Sequence, residues 1–352
     1  MNEIVGITRK LKIKIIIGIV LLLGIVSGLF VMYGPVPIFR EWLITTAMTT
    51  MNHQYLATWF YSDETIQEVL DKNKVVEIAE TTDPNLVTMP TVVELENEKK
   101  EEVVYENEYE KAVLENPNNE DYKIIEINGD TYSGYLAVIY DPSRVKVATT
   151  ENIGKEGQFL TTISKKNNAL VAINGGGFDD PSGKGNGSTP IGTTIANGKI
   201  ITSYQYASSS GGLIGFTNEN KLVLGKMTAK EAIKMGVRDA VTFGPFLIVN
   251  GKTSQIVGNG GWGNAPRTAI GQRQDGIVLF LVLDGRTLKR PGANMKDLTE
   301  IMQRYGAYNA ANLDGGTSSA MVVNNEVIND PVDSSGKHRT RAIATGFLLL
   351  SK

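Results

Sequence analysis

The 352-residue chain has no cysteine and only two histidines, His53 and His338. The first absence excludes disulfides, thiol catalysis, iron–sulfur clusters and cysteine-based zinc sites. The second excludes a multi-histidine zinc site. A large charge of either sign is missing too: 35 basic residues stand against 38 acidic ones, for a net charge of −3. With no basic excess, no nucleic-acid partner is expected. A hydrophobic share of 41% and a charged share of 21% fit neither a disordered chain nor one embedded throughout in a membrane. Glycine, in contrast, is abundant at 37 residues, and it is clustered.

At about 150 residues per domain, the length allows two domains, or one large domain with appendages. One stretch, residues 15–32, is long and apolar enough to cross a bilayer as a helix. Arg9, Lys10, Lys12 and Lys14 precede it, and no small-x-small cleavage site follows. The expectation is an uncleaved anchor, with residues 1–36 forming a cytoplasmic tip and transmembrane helix and the remainder outside the cell membrane. Residues 37–121 read as a stalk. It is helical over 38–51 and 63–80 and acidic over 94–121, where eleven acids and three lysines give a net −8. Residues 122–352 read as one α+β domain, a mixed sheet of many short Val/Ile-rich strands with a few helices. The helices are expected at 159–167, at 228–235 with Thr228 and Glu231 as a capping box, and at 295–305 with Asn294 as N-cap. The last strand is expected over 342–349.

Four segments pair a polar residue with glycine or proline at a strand end. They are Asn174 followed by Gly175, Gly176, Gly177 and Phe178; the 242–247 segment around Gly244-Pro245; the 263–271 segment with Pro266-Arg267; and Asp314 followed by Gly315, Gly316, Thr317 and Ser318. A strand can deliver a side chain to the sheet edge, and glycines after it let backbone approach a ligand or form an amide nest for an anion. Tight turns explain any one segment equally well. Familiar nucleotide motifs fail. Gly258 to Gly263 spells GxGxxG but is followed by Asn264-Ala265-Pro266, which cannot open the required helix. Gly177 to Gly183-Lys184 has the wrong spacing for a P-loop.

The order NGGGF, GPFLIVNG, NAPRTAIG, LDGR, NLDGGTSSAMVVNN and HRTRAIATGFLLL resembles the phosphodiester glycosidase family, whose bacterial members include exopolysaccharide-associated proteins. The resemblance covers residues 122–352 and is densest from Pro266 to Met321. It implies a hydrolase that cleaves glycosyl-1-phosphodiester bonds; joined to the expected anchor, which is no part of the resemblance, this gives a membrane-anchored, extracytoplasmic enzyme acting on cell-envelope or exopolysaccharide glycans. Its substrate partner would be a glycan phosphodiester. A phosphomonoester leaving group, with a second pKa of about 6, needs less protonation than a sugar hydroxyl. One carboxylate could then activate water or shield the anomeric cation, with cations and amides on the phosphate.

Asp314 is the first candidate for that carboxylate and Asp284, ending LDGR's strand, the second. Asn174 is a candidate for orienting water or a hydroxyl, and His338 for acid–base work. Arg267 is the leading phosphate ligand, through a bidentate fork. Gly175, Gly176, Gly315, Gly316, Thr317 and Ser318 are candidates for a nest around the phosphate. Strand alternation would put Arg339 and Arg341 on one face. A Ser318–His338–Asp314 triad can be written, although no GxSxG elbow supports it. Trp262, Phe178 and Phe246 are candidate sugar platforms. No cofactor is required. Calcium or magnesium is compatible with the oxygens of Asp179, Asp180, Asp284 and Asp314, and the metal stays unassigned. A non-catalytic polysaccharide-binding module and a metal-dependent phosphodiesterase breaking P–O are the alternatives.

Overall fold

The structure is a computed structural model that describes residues 2–50, 53–89, 104–179, 186–205, 208 and 210–352. The chain divides into two compact units, Met1–Asn73 and Lys74–Lys352.

The first unit is helical. Its helix Asn2–Tyr33 contains Lys12–Tyr33, the one stretch among the described residues long and apolar enough to cross a membrane. The side chains of Ile15, Leu22, Val26 and Phe30 all point outward. Three short helices follow, Ile38–Met48, Tyr55–Thr58 and Asp63–Lys72. Ile44, Ala47, Ala57, Ile66 and Val69 close a small core between them. Ser62 starts the Asp63–Lys72 helix by accepting the Thr65 amide. That helix stops eight residues before the expected position. Asn73 folds its side-chain amide back onto the Val69 carbonyl at 2.9 Å, and the chain turns extended at Lys74–Val76.

The second unit is an α+β body built, among the described residues, on three large antiparallel sheets and two two-stranded ones. The largest runs, edge to edge, Lys252–Thr253, Phe246–Val249, Ala307–Leu313, Arg267–Arg273, Val278–Leu283, Ser133–Ile139 and Tyr122–Asn128. A five-stranded sheet runs Glu326–Val327, Met321–Val323, Ala169–Asn174, Thr345–Leu350 and Val145–Thr149. A second five-stranded sheet runs Leu222–Gly225, Gly212–Thr217, Val237–Phe243, Thr193–Ala196 and Lys199–Ser203. One phenylalanine from each sheet meets in the shared core. Phe347 lies with its ring centroid 6.2 Å from Phe216 and 6.4 Å from Phe280. Strands buried on both faces explain why their sequences read as unbroken apolar runs rather than alternating ones.

The three expected helices form at Leu160–Lys166, Ala229–Lys234 and Met295–Arg304. Thr228 with Glu231, and Asn294 with Asp297, make the capping boxes. Met295, Leu298, Ile301 and Met302 are fully buried under the seven-stranded sheet.

A domain boundary at 122 lies too late as a limit of packing. Lys74–Val76 pairs with Gln255–Val257, and Thr82 exchanges two hydrogen bonds with Leu224. Val87 is 1% exposed and Val113 is 0% exposed. Val113 sits on the helix Glu108–Leu114, whose Tyr109 meets the Tyr305 ring edge-on. Net charge over a window averages away these single docking residues. Residues 94–103 of the acidic stretch lie outside the described residues.

Candidate functional site

Antiparallel register brings the candidates to one sheet end. Arg267, opening its strand, pairs with Leu283, which precedes Asp284, and Thr268 pairs with Leu313, which precedes Asp314. The strand end at Asn174 reaches them from the neighbouring sheet. Asn174 is 1% exposed. Its Nδ2 donates to the Asp314 carbonyl at 2.6 Å, and its Oδ1 accepts from Thr268 Oγ1 at 2.7 Å and the Ala320 amide at 3.2 Å. The Asp314 amide in turn donates to the Gly175 carbonyl at 3.1 Å. Asn174 is therefore the joint between two sheets, and its side chain is committed to protein rather than to a ligand.

The Gly175 amide donates to the Thr345 carbonyl, and the Gly176 amide to Thr345 Oγ1 at 3.1 Å. A Cβ on Gly176 would come within 2.6 Å of the Thr242 carbonyl oxygen. Close backbone packing explains these glycines, and their amides form no open nest. After Asp314, the Gly316, Ser318 and Ser319 amides also go to backbone carbonyls. Gly316 has φ +64°, and a Cβ there would lie 2.7 Å from Arg286 Nη2.

Asp314 itself is half-buried. Burial pushes its carboxyl above the usual carboxylate range. The Ser318 hydroxyl, the charge of Arg341, the Gly315 amide and the charge of Arg286 pull the other way without cancelling that effect. Arg286 is the residue the sequence reading passed over. It is held at φ +64°, a left-handed backbone that side-chain-bearing residues rarely adopt. Its Nη1 donates to Thr317 Oγ1 at 2.7 Å and to the Val332 carbonyl at 3.1 Å. Burial lowers its pKa, with the charges of Asp333, Arg341 and Asp314 acting on it. The only sequence signal was its place after Asp284-Gly285 in LDGR, where the aspartate drew the attention.

Arg267 does not present the expected fork. It is 4% exposed, with Nε on the Ala293 carbonyl at 3.1 Å and Nη2 on the carbonyls of Trp262 at 2.5 Å and Gly263 at 2.7 Å. Nη1 lies 3.6 Å from where a Cβ on Gly315 would stand. Burial first, then the charge of Arg286, brings the guanidinium down to about 9, which leaves it cationic at neutral pH. Arg341 lies over the Phe178 ring at 4.7 Å and acts on Asp314. Arg339 instead pairs with Asp333 at 2.5 Å. The last strand begins only at Thr345, so residues 339–342 are not extended in a sheet and the alternation argument lapses.

Asp284 accepts Asn329 Nδ2 at 2.7 Å and the Asp330 amide at 3.0 Å, which ties down the following turn. Burial raises its pKa. His338 is exposed on that turn, its Nδ1 2.6 Å from Asp330 Oδ1, so the Ser318–His338–Asp314 triad does not form. The pairing with Asp330 raises the His338 pKa. Two of the three aromatic candidates are buried, and Trp262 is half-buried. Phe246 is 1% exposed in the core, Phe178 carries Arg341, and Trp262 carries Arg267 at 5.8 Å. Among the described residues no three acidic or histidine side chains gather as a metal-binding group, and Asp180 lies outside them.

A sequence profile described as phosphodiester glycosidase matches residues 167–350. The SPbeta prophage-derived uncharacterized protein YomE of Bacillus subtilis is 30% identical over 203 residues, which are 55% of this chain and 29% of that protein. The N-acetylglucosamine-1-phosphodiester alpha-N-acetylglucosaminidase of Mus musculus is 26% identical over 231 residues, 58% of this chain and 42% of the enzyme. The chain thus spans less than half the length of these curated relatives. In structure, it resembles the pro-peptide-inhibited catalytic domain of the zebrafish enzyme of the same name. The TM-score is 0.54 at 22% identity, covering 68% of this chain and 87% of that one.

Proposed function

The chain belongs to the phosphodiester glycosidase family, and from that premise we propose that it hydrolyses glycosyl-1-phosphodiesters between the anomeric carbon and the phosphate oxygen. The observation that carries this reading is Asp314, a carboxyl raised by burial and within electrostatic reach of Arg267, Arg286 and Arg341. A phosphate entering there meets cations that already stand in a dry setting, where their attraction is strong. The carboxylate then takes a proton from water as the water oxygen bonds to the anomeric carbon. The bonding pair of the broken C–O bond leaves on the phosphate, which the arginines neutralise. Arg286 and Arg341 take the role first given to the Arg267 fork. Arg267 shapes the Trp262–Gly263 segment and offers Nη1 alone. Asp284 and Asn174 hold the frame.

The substrate is proposed to be a cell-envelope or exopolysaccharide glycan carrying phosphodiesters. The Lys12–Tyr33 stretch is proposed to anchor the chain, with the four cations before residue 15 keeping the N-terminus in the cytoplasm. No metal is proposed as a requirement, so a chelator should leave turnover unchanged, and restoration by calcium or magnesium would reverse that. The test of the reaction is hydrolysis of an α-N-acetylglucosamine-1-phosphodiester by the detergent-solubilised full chain in ¹⁸O-labelled water. Label in the sugar hydroxyl supports the proposal. Label in phosphate means P–O cleavage, and no turnover on any glycosyl phosphodiester favours a binding module. For topology, protease added to intact cells should remove the domain; protection until lysis would overturn the orientation.

A further inference from the structure

A cavity lies at the five-stranded sheet that contains Thr193–Ala196, Lys199–Ser203 and Gly212–Thr217. Its volume is about 460 Å³, inside the range of about 300–1,000 Å³ typical of small-molecule sites. Thr193, Ser203, Tyr204, Gln205, Lys226 and Thr242 are among its walls. Its wall continues into the backbone that follows Asn174. Thr242 lines the cavity, and its carbonyl packs against Gly176, while the next residue, Phe243, packs on Gly177 and meets the Trp262 ring at 6.1 Å.

The chemistry of the walls selects the ligand. The two charged groups are engaged within the protein: Lys226 stands 3.4 Å from Glu77, and Glu231 closes the capping box with Thr228. What remains is neutral and hydroxyl-rich. Thr193 is only 8% exposed, and its hydroxyl has no hydrogen-bond partner among the described residues. The side chains of Ser203 and Gln205 likewise make no such bond there. Tyr204 is 56% exposed and fixed by its amide on the Gly192 carbonyl at 2.9 Å, so it offers a flat apolar face at the rim. An aromatic face with hydroxyls and an amide that no described residue engages, and with both charged groups paired, suits a neutral pyranose ring rather than a phosphate or a peptide.

We infer that this cavity is a second sugar subsite, which holds a neutral glycan unit of the substrate away from the cleaved bond, so that the protein acts on extended glycans rather than on single glycosyl phosphates. The inference rests on the hydrolase reading for its kinetic consequence but not for binding, and the two are tested apart. The full chain in detergent would be applied to an array of neutral and N-acetylated oligosaccharides free of phosphate. Binding that falls about tenfold in Tyr204→Ala, the scale of one lost aromatic contact, is expected. Thr193→Val should weaken the same glycans, and Asp314→Asn should not. An array with no bound glycan, or binding indifferent to both cavity variants, would overturn the subsite, whatever the outcome of the hydrolysis assay. In kinetics, Tyr204→Ala should raise KM about tenfold for a phosphodiester carrying an oligosaccharide and leave a single-sugar phosphodiester unchanged. An equal effect on both would place Tyr204 in general stability instead, and the subsite would fall.

Discussion

Asn174-Gly175-Gly176 and Asp314-Gly315-Gly316 look alike in sequence, a polar residue and glycines ending an apolar strand, yet they do opposite things. At Asn174 the polar contacts of the strand end are internal: amide to the Asp314 carbonyl, oxygen to Thr268 and Ala320, glycine amides to Thr345. At Asp314 the backbone is pinned, but burial raises the carboxyl's pKa against the opposing charges of Arg341 and Arg286. One strand end is a satisfied joint, and the other carries a carboxyl whose ionisation burial disfavours. A buried polar group without competing needs builds a frame, whereas a strained one marks chemistry.

The sharpest way to break this contrast is to substitute both ends. Asp314→Asn should lower kcat by roughly a hundredfold or more, the scale of a lost general base. It should also melt higher than the parent at neutral pH. A carboxyl whose folded pKa is raised binds its proton more tightly when folded, so stability falls as pH rises from the unfolded value through the folded one. The amide removes that penalty, and the difference in melting should close as pH drops toward 4. The parent's kcat/KM should decline on the acid side at a pKa above the ordinary carboxylate value. A folded Asp314→Asn protein that stays active would transfer the catalytic role to Asp284.

Asn174→Ala should do the reverse. It leaves Thr268, Ala320 and the Asp314 carbonyl without partners, at about 1–3 kcal/mol for each group left unsatisfied. Thermal melting should drop sharply, and activity should follow the folded fraction. If Asn174→Ala melts normally but loses turnover, Asn174 touches substrate and the contrast is wrong.

Arg286→Ala should raise KM and lower kcat by roughly tenfold to a hundredfold, as expected for a charge-assisted contact of about 1.5–3 kcal/mol. Arg286→Gly relieves the left-handed backbone yet removes the same guanidinium. It should therefore match the alanine variant in activity while melting higher. Equal melting would mean the backbone carries no strain. Arg267→Lys tests the other arginine, since an ammonium cannot serve the carbonyls of Ala293, Trp262 and Gly263 at once. Its loss should appear mainly in melting temperature. A pure KM effect would restore the phosphate-fork reading. The smallest effect is expected at His338→Gln, within about twofold at neutral pH, because its contact is an exposed pair with Asp330. A large loss would place the turn over the bound substrate.

Legibility followed the range of the interaction. Capping at Thr228 and Asn294 was readable because both partners lie three residues apart in the chain. The apolar strands were readable from composition, although the last was started three residues early. The docking of Val87 and Val113 was not readable, since each sits in a short apolar patch (Leu86-Val87, Ala112-Val113-Leu114) within a polar stretch, and nothing local marks which residue docks. Arg286 stayed hidden because a positive φ leaves no mark on a residue that is not glycine.

By itself, the sequence excluded disulfide, thiol and multi-histidine zinc chemistry, and it carried an apolar N-terminal run and the motif order of the family. It also made Asp314 the first candidate carboxylate. Tertiary structure alone decided which cations surround it. Arg267, Arg286, Arg339 and Arg341 are equal as letters. Burial commits Arg267 to three carbonyls, Asp333 takes Arg339, and the charges of Arg341 and Arg286 act on the carboxyl. A guanidinium's role is set by which acceptors reach it first, and those acceptors come from strands far apart in the chain.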